Sequence, residues 1–505
     1  MEWLNETALA DIEALCRARR EEILHTSDTV TVTGTVYYVS NEGSDENDGR
    51  SPQRPWQTLA RVSRAELAPG DGVLFRRGDL FRGFVETRPG VTYAAYGEGE
   101  KPRLYGWDRD LADPDLWELF DGMHRIWRLT QPILDCGTLV FDHGNAHCRK
   151  LIPSYIGGQF VCREDESRPF DMAAEMTQNL DMVCFYTARM TQKPSHGQDF
   201  PVPVIDDQSF GELYLRCDAG NPGEVFSSVE ALPKRNLFQI KSNDFVTLDN
   251  LCIKYVGAHA IGAGGTCVKG LHVSNCEIGW VGGSVQNYLG VDPNYPQGGR
   301  GSVTRYGNGV EIYGGCEDYT VENCYIYQVY DAGITHQITT RGKSIHMRRV
   351  KYLNNLVERC VYSIEYFLEK TEGDTESAME DCEIRGNLLR LSGYGWGQQR
   401  HNTDTPAHIK GWSYQNTARN FRICHNLLDR AAYRMIHLVA EDEKSLPILC
   451  GNIFVQTEGG CLGQYGSTGG GIPPMLAFDE DVEATVACVV GDREAKLVFA
   501  QLPKA

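Results

Sequence analysis

Leu248-Asp249-Asn250-Leu251, Val273-Ser274-Asn275-Cys276 and Val321-Glu322-Asn323-Cys324 are copies of one short phrase, in which an aliphatic residue precedes an asparagine at a predicted bend. The phrase returns, with a second apolar run after each copy, around Asn355, Asn387, Asn426 and Asn452. A repeat of one or two short strands cannot bury its apolar face alone, so successive coils must stack and share one core. The pattern therefore predicts an all-β parallel β-helix, in which equivalent residues of neighbouring coils lie about 4.8 Å apart.

The charge of the chain limits its partners. It has 505 residues and a formal net charge of −19, so it lacks the cationic excess that would neutralise nucleic-acid phosphates or an anionic membrane surface. We therefore expect no nucleic acid and no membrane as partner, and the overall charge favours a neutral or cationic substrate. No apolar window approaches the ~20 residues of a membrane span, and residues 1–30 lack the pattern of a secretory signal. These features predict a cytoplasmic protein.

The 17 cysteines are spread along the chain, and several fall on the apolar rungs of the repeat, as Cys276 and Cys324 do. Free cysteine behaves as a small buried hydrophobe, so we expect reduced thiols in the core rather than structural disulfides. The chain contains neither a C-x-x-C pair nor an H-E-x-x-H motif. The sequence predicts no metal site and no cofactor.

The repeat divides the chain into five predicted parts. Residues 6–24 carry apolar side chains at helical spacing, so segment 1–29 is predicted to be an N-terminal helix that caps the open end of the solenoid. The repeat disappears over a stretch rich in Pro, Gly and Asp turns, which predicts an inserted β-rich domain. The remaining predicted parts are the first coils at 30–106, the insertion at 107–236, the main β-helix at 237–465 and a linker with closing strand at 466–505, where 483–490 is the predicted strand.

A resemblance to known proteins lies in the N-terminal coils. The phrases Tyr38-Val39-Ser40, Asn47-Asp48-Gly49, Pro55-Trp56-Gln57-Thr58-Leu59 and Pro69-Gly70-Asp71 resemble the opening of right-handed parallel β-helix carbohydrate-active enzymes. Gly211-Glu212-Leu213-Tyr214-Leu215 is similar to a segment between the first coils of β-helix glycoside hydrolases of the β-xylosidase, xylanase and α-L-fucosidase types. The resemblance implies a right-handed, pectin-lyase-like solenoid that acts on carbohydrate. The same solenoid also hosts lyases and epimerases.

The second apolar run of each coil predicts one column of outward side chains. We align the runs on their central aliphatic residues, Ile261, Val310, Ile334, Ile364, Ile409, Ile436 and Leu462. Strand side chains alternate, so each following residue should face outward. The predicted column reads Gly262, Glu311, Thr335, Glu365, Lys410, His437 and Gly463. A row of ionisable groups framed by glycine is more typical of a site than of a bland solvated face.

Glu311 and Glu365 are the predicted acid and base pair. They lie two coils apart, which separates their backbones by about 9–10 Å. Inverting glycoside hydrolases hold two carboxyls about 6.5–9.5 Å apart, so this spacing favours inversion. The resemblance implies that Glu365, in Ser363-Ile364-Glu365-Tyr366-Phe367, is a catalytic carboxylate, while Thr335 stands where the family has its partner. Asp331, in a predicted turn, is the alternative catalytic partner.

Two interruptions of the repeat, at 284–307 and 393–408, are predicted to form loops that wall the groove. Aromatic rings, amides and guanidinium groups suit the stacking and orientation of sugars. Lys410 is expected to keep Glu365 ionised, or to act as a proton-abstracting base. The predicted substrate-binding residues are Tyr288, Thr335, His336, Trp396, Arg400, His401, Asp404, His408, Lys410 and His437.

Three functions remain open from the sequence. The leading one is a glycoside hydrolase that cleaves a plant- or host-derived oligosaccharide with Glu311 and Glu365. A polysaccharide lyase or uronate epimerase would instead use Lys410 or an arginine as base. A non-catalytic glycan-binding solenoid would need the groove but not the two glutamates. The oligosaccharide is thus the expected partner, and the sequence leaves open whether the chain forms a homo-oligomer.

Overall fold

The fold is a parallel β-helix built from three long sheets. The computed structural model describes residues 2–3, 6–28, 30–179, 182–194, 201–205, 210–289, 301, 303–400 and 406–500. Within these residues every strand pair of the first two sheets is parallel, and in the third sheet only the terminal strand Leu476–Phe478 pairs antiparallel. In the main coils the chain passes through the three sheets in turn, and several coils contribute two strands to the third sheet, as Ala332–Thr339 and His346–Arg348 do. This is the solenoid that the repeats predicted.

Each of the three sheets collects strands from most of the length of the chain. Sheet 1 contains Glu2–Trp3, Leu80–Arg82, Arg103–Tyr105, Cys252–Val256, Glu277–Val281, Tyr325–Val329, Leu356–Glu358, Leu388–Ser392, Leu427–Ala431, Ile453–Thr457 and Lys496–Ala500. Sheet 2 contains Val36–Val39, Gly72–Arg76, Thr92–Tyr96, Thr247–Asp249, His272–Ser274, Thr320–Glu322, Lys351–Leu353, Glu383–Arg385, Arg422–Cys424 and Ile448–Cys450. Sheet 3 contains Val85–Glu86, Phe238–Lys241, Ile261–Lys269, Val310–Glu317, Ala332–Thr339, His346–Arg348, Tyr362–Glu369, Ala378–Glu380, Ala407–Gly411, Ala418–Arg419, Arg434–Ala440, Gly460–Ser467 and Leu476–Phe478.

Helices are few, and all but the first are short. The α-helices are Glu6–Leu24, Leu59–Arg64, Met172–Gln178, Pro222–Val225 and Val482–Thr485. Short 3-10 turns occupy Pro114–Leu116, Asp142–Gly144, Trp396–Gln399, Glu443–Ser445 and Thr468–Gly470, and a π-turn occupies Val486–Val490. Among the described residues, no helix is long and apolar enough to cross a membrane.

The core consists of stacked aliphatic side chains from all three sheets. In sheet 3, Val310 aligns with Ile334, Ile364, Ile409 and Ile436 on successive strands, and all five are fully buried. Burial of each such side chain contributes about 1.5–3 kcal/mol. Because side chains alternate along a strand, this inward stack forces the residue after each aliphatic to the outer face. The core therefore sets the register of the groove.

The asparagines divide into two positions rather than one. Asn250, Asn275 and Asn323 adopt a left-handed backbone at the bend. Asn387 and its counterparts at 355, 426 and 452 lie one residue later and point inward, where they are buried and bonded to one another. Cys276 and Cys324 occupy this inward position in the earlier coils, so the predicted single alignment of the seven asparagines is wrong by one residue.

The N-terminal helix does not cap the end of the solenoid. Helix Glu6–Leu24 lies across the outer face of sheet 1, where Cys16 and Ile23 pack in one cluster with Leu356, Leu388, Leu427 and Val455. Ion pairs help to hold it there, because Glu13 of the helix pairs with Arg390, and Arg20 of the helix pairs with Glu358. The amphipathic pattern predicted the helix, but it cannot tell an end of the solenoid from its flank.

Other elements cover the two ends. Trp56, Leu59 and Val62, in and beside the second helix, join the core at the first coil. At the other end, Val482, Val486 and Val490 are buried at helical spacing, so the strand predicted at 483–490 is wrong. The closing strand lies a few residues later, at Lys496–Ala500, and it pairs with Ile453–Thr457.

Residues between the early and later coils form mostly antiparallel strands with a separate hydrophobic cluster, and only Arg149–Lys150 pairs in parallel among the described strands of this region. The strands are Trp117–Asp121, Ile126–Leu129, Cys136–Phe141, Ala146–His147, Arg149–Lys150, Ser154–Ile156, Gln159–Val161, Val183–Thr187, Met190–Pro194, Pro201–Ile205, Glu212–Arg216 and Val229–Pro233. Hairpin Ser284–Tyr288 and Val303–Tyr306 from the first predicted loop packs on this cluster. The insertion therefore packs against the hairpin that forms one wall of the groove.

One expectation about cysteine is wrong. Cys424 and Cys450, on neighbouring strands of sheet 2, form a disulfide. Their Cα atoms are 4.6 Å apart, because they occupy the same position on successive coils. Most of the other described cysteines are buried free thiols, as the predicted core role requires.

The asparagine ladder gives a test of stability. In Asn387→Ala, the backbone N–H of Asn355 and the carbonyl of Tyr352 lose their buried partner. Each unsatisfied buried group costs about 1–3 kcal/mol, so we expect the free energy of unfolding to fall by about 2–5 kcal/mol. Urea denaturation followed by circular dichroism measures the change. The exposed Asn145→Ala is the matched control, and an equal effect of both substitutions would contradict the role of the ladder.

Candidate active site

A cavity of about 580 Å³ opens on the outer face of sheet 3. Its floor is formed by parallel strands, and one wall is the hairpin that includes Thr304, Arg305 and Tyr306. The sequence-predicted residues that line it are Glu311, Asp331, Glu365, Arg400, Lys410 and His437. Side chains from five different coils and one loop therefore meet in a single cavity.

The strand register brings the predicted column together. Glu311 pairs with Thr335, Thr335 with Glu365, Glu365 with Lys410, and Lys410 with His437. Thr335 has a shorter side chain than Glu311 and Glu365 on either side of it, and it is fully buried. Its hydroxyl has no hydrogen-bond partner among the described residues. Glu311 and Glu365 are thus two strands apart with only a short side chain between them.

The last rung of the column differs from the prediction. Gly463, not Leu462, aligns with Ile436, so Gln464 follows His437 in the outward column. Gly463 has a positive φ of 124°, and the neighbouring strand pair is irregular at this point. This local irregularity shifts the alternation by one residue, which the aliphatic alignment could not detect.

Glu311 is a buried carboxylate that is held ionised. Burial favours its neutral form, but the nearby His259 and hydrogen bonds from Asn308 and Gln337 outweigh it and lower the pKa of Glu311. The Nδ1 atom of His259 lies 2.8 Å from the carboxylate, and Nδ2 of Asn308 donates a hydrogen bond to it. Glu311 therefore suits the role of a base, because it stays ionised at neutral pH.

Glu365 has the opposite electrostatic environment. Burial raises its pKa to about 7, Lys410 opposes this shift, and the charge of Asp331 adds to it. The Nζ atom of Lys410 lies 3.2 Å from the carboxylate. Lys410 acts in the expected direction, yet burial prevails over it. Glu365 is therefore protonated in a large fraction of molecules at neutral pH, as a general acid must be.

Asp331 and Arg400 form an ion pair at the rim of this carboxylate cluster. The Arg400 guanidinium also lies over the Tyr362 ring, 5.6 Å from its centre, and Lys410 lies over the same ring at 3.8 Å. Asp331 is close enough to influence the titration of Glu365, which keeps it as an alternative partner for that residue.

Two predicted histidines lie outside the cavity. His336 follows the outward Thr335 and so points into the core, where it contacts the hydroxyl of Tyr352 and stacks on Tyr366. Burial lowers its pKa to about 3. His408 is buried beside Ser363 at the start of its strand, and burial lowers its pKa to about 4. The structure therefore brings neither residue into the cavity.

Two predicted aromatic platforms are also structural. Trp396 is buried against Tyr330 and donates from its ring nitrogen to the carbonyl of Gln328, so its indole does not line the cavity. Tyr288 packs against Tyr155 and Phe160 in the core of the insertion. Large rings near an insertion can serve packing as well as binding, and here packing decides. His401 and Asp404 lie outside the described residues.

The cavity has aromatic residues that the sequence analysis missed. Tyr313, Phe367 and Trp412 each come two residues after a member of the column and so share its outward face. Phe367 and Trp412 are in contact, with ring centres 4.4 Å apart. The alternation that produced the column, extended by one more step, would have found them. The same step finds Gln337, which follows Thr335 by two residues. His259 and Asn308 were missed because their role depends on tertiary contacts with the Glu311 carboxylate.

The acidic side chains of the cavity are paired with cations or hydrogen-bond donors rather than gathered around a space for an ion. No group of three or more His, Cys, Asp or Glu side chains that could hold a metal ion occurs in the described parts of the chain.

Comparisons with known proteins give limited matches. No family model matches the chain. A lacto-N-biosidase from Bifidobacterium longum subsp. longum is 36% identical over 84 residues, which are 14% of this chain and 5% of that protein. The chain therefore spans about one twentieth of the curated relative that it matches.

Similar solved structures include a glycoside hydrolase and a lacto-N-biosidase. A structure titled glycoside hydrolase is 10% identical, covers 84% of this chain and 94% of its own, and has a TM-score of 0.40. A GH136 lacto-N-biosidase from Eubacterium ramulus is 12% identical, with 88% and 66% covered and a TM-score of 0.32. Likeness at this level does not say which side chains react.

The pairing of Glu365 with Lys410 can be tested by titration. Loss of the lysine charge in Lys410→Met removes a force that favours the ionised carboxylate, so the pKa of Glu365 should rise above its value of about 7. Infrared difference spectra between each protein and its Glu365→Gln counterpart isolate this carboxyl band across pH. Lys343→Met, at an exposed position, should leave the titration unchanged. An unaltered or lowered pKa in Lys410→Met would contradict the pairing.

Proposed function

We propose that the protein is a glycoside hydrolase that cleaves an oligosaccharide with Glu365 as general acid and Glu311 as general base. One observation carries the proposal: two buried carboxyl groups share a cavity, and their surroundings shift their pKa values in opposite directions. Such a pair can hold one proton donor and one proton acceptor at the same pH. Hydrolysis of a glycosidic bond requires this combination.

The ladder geometry supports a single displacement by water. Strands two steps apart in a sheet are separated by about 9–10 Å, which leaves room for a sugar bond and a water molecule between the carboxyls. Inverting glycoside hydrolases hold their carboxyls about 6.5–9.5 Å apart, whereas retaining enzymes hold them about 5–5.5 Å apart. The proposed reaction therefore inverts the anomeric carbon.

The proposed step assigns each proton. The Glu365 carboxyl donates its proton to the glycosidic oxygen as the bond from that oxygen to the anomeric carbon breaks. Water attacks the anomeric carbon from the opposite face, and Glu311 accepts the proton that the water loses. The leaving sugar departs with a new hydroxyl group. Proton exchange with solvent then restores neutral Glu365 and ionised Glu311 for the next turnover.

Other cavity residues fit the binding of sugar rings. Tyr313, Phe367 and Trp412 present aromatic faces or edges along the groove, and Gln286 adds an amide donor and acceptor. Aromatic surfaces stack on the apolar faces of sugars, while amides fix the hydroxyl groups. His437 remains neutral because burial and the charges of nearby cations lower its pKa to about 3, so it serves as a hydrogen-bonding group.

A lyase that uses Lys410 as its base is the second candidate. Lys410 lies in the cavity, which such a lyase requires. Its contact with the face of the Tyr362 ring, however, favours the charged ammonium, which cannot abstract a proton. The hydrolase proposal explains this contact better. An unsaturated product that absorbs ultraviolet light would identify the lyase.

Substitution of the two glutamates tests the proposal. Glu365→Gln and Glu311→Gln should each lower kcat by about 10²–10⁴ with unchanged folding, because each removes one proton-transfer group. Turnover of the unmodified protein should fall as the pH rises through about 7, since the Glu365 acid is then lost. Reducing-sugar assays on a panel of defined oligosaccharides measure these effects.

The matched control for this test is Glu383→Gln, which removes a carboxylate from sheet 2 and should leave turnover unchanged. Full activity of Glu365→Gln would rule out the proposed mechanism. Binding of oligosaccharide without turnover by the unmodified protein would instead favour a non-catalytic glycan-binding solenoid.

A further inference from the structure

Arg305 is a buried arginine in the wall of the cavity. It lies on hairpin strand Val303–Tyr306 and is only 2% exposed. Its Nε donates to the carbonyl of Gly283 at 2.7 Å, and its Nη2 donates to the carbonyl of Gly137 at 3.0 Å. Its guanidinium carbon lies 4.4 Å from the centre of the Tyr330 ring. These contacts fix the orientation of the guanidinium group without neutralising its charge.

One nitrogen of this group remains unsatisfied. Nη1 of Arg305 is buried and has no hydrogen-bond partner among the described residues. Arginine stays protonated in proteins, so the charge cannot be removed by titration. A buried cation without an anionic partner is costly by several kcal/mol, and an anion bound at this nitrogen would offset that cost. The unsatisfied nitrogen thus indicates an anionic ligand.

The other charged groups of the cavity lead to the same conclusion. Within the described residues, the lining contains the cations Arg305, Arg400, Lys410 and Arg434 and the carboxyl groups Glu311, Asp331 and Glu365. Arg400 pairs with Asp331 and Lys410 pairs with Glu365, so two of the three carboxyls already have a cation. The cavity is therefore cationic within a chain of net charge −19, and a local field of this sign attracts anions.

Arg305 lies close to the reacting groups. The guanidinium carbons of Arg305 and Arg400 lie 4.4 Å and 6.0 Å from the centre of the Tyr330 ring. Arg400 binds Asp331, which in turn influences the titration of Glu365. A ligand group bound by Arg305 would therefore belong to a sugar adjacent to the bond under attack, not to a distant part of the chain.

We infer that the cavity accepts an acidic oligosaccharide, whose carboxylate or sulfate group binds Nη1 of Arg305 beside the carboxyl pair. The inference rests on the proposed hydrolase function and names its substrate class. It also revises the expectation, drawn from the overall charge, of a neutral or cationic substrate. Charge-assisted hydrogen bonds from arginine to a carboxylate or sulfate are about twice as strong as neutral ones, so the group would provide specificity as well as affinity.

Binding measured apart from catalysis tests the inference. Isothermal titration calorimetry on the Glu365→Gln protein measures the affinity for each acidic sugar and for its neutral counterpart. The pairs are glucuronate and glucose, galacturonate and galactose, and galactose 6-sulfate and galactose. At least one acidic sugar should bind tenfold or more tightly than its neutral counterpart. The uronate and sulfate arms then identify which anion is preferred. Equal affinities within all three pairs would overturn the inference.

Variants of Arg305 assign the effect to this residue. Adding Arg305→Gln should abolish the preference for the acidic sugar over its neutral counterpart, whereas Arg385→Gln, on sheet 2, should preserve it. A preference that survives Arg305→Gln would contradict the assignment. If Arg305→Gln does not fold, Arg305→Lys is the alternative variant. Lysine retains the charge but lacks the two-pronged guanidinium group, so the preference for the acidic sugar should weaken at least threefold. An unchanged preference would again overturn the inference.

The outcomes separate this inference from the proposed function. Hydrolysis of neutral oligosaccharides with no preference for acidic ones would refute the anion site but support the hydrolase function. Tight, Arg305-dependent binding of an acidic sugar without hydrolysis would support the anion site but refute the hydrolase function. An ultraviolet-absorbing unsaturated product from a uronate substrate would retain the site but replace hydrolysis by elimination.

Discussion

Hydrogen bonding between parallel strands of successive coils is the constraint on which the rest of the structure depends. It holds equivalent residues at a nearly constant spacing, so the aliphatic stack from Val310 to Ile436 determines which residues face outward. The buried asparagine ladder supports the same register at the turn between sheets 2 and 1. The distance between Glu311 and Glu365 is therefore a property of the whole solenoid rather than of one loop.

The chemistry depends on how differently this scaffold surrounds two similar side chains. Both glutamates are buried, and burial alone would raise both pKa values. Glu311 receives enough hydrogen bonds, together with His259, to reverse that effect. Glu365 has one close cation and also a nearby carboxylate, so burial prevails. Partners on neighbouring strands thus decide which glutamate donates a proton and which accepts one.

The outward column could be predicted because it depends only on alternation along a strand and on a continuous apolar core. Prediction failed where another constraint acts. A local irregularity at Gly463 shifts the strand alignment by one residue at the last position of the column. Trp396 packs against residues of the insertion, which the local sequence does not reveal. The helix Glu6–Leu24 has a clear amphipathic face, but its position on sheet 1 depends on the tertiary ion pairs of Arg390. The pairings of Glu311 and Arg305 likewise join residues from distant parts of the sequence.

The proposed mechanism requires a glycosidic bond to lie between Glu311 and Glu365 on the floor of this cavity. A crystal structure of Glu365→Gln soaked with a cleavable oligosaccharide tests this placement. The glycosidic oxygen should lie within hydrogen-bond distance of residue 365, with Glu311 on the opposite face of the sugar and close to a water molecule. Sugar bound elsewhere, for example in the separate cleft lined by Asn145 and Tyr394, would contradict it.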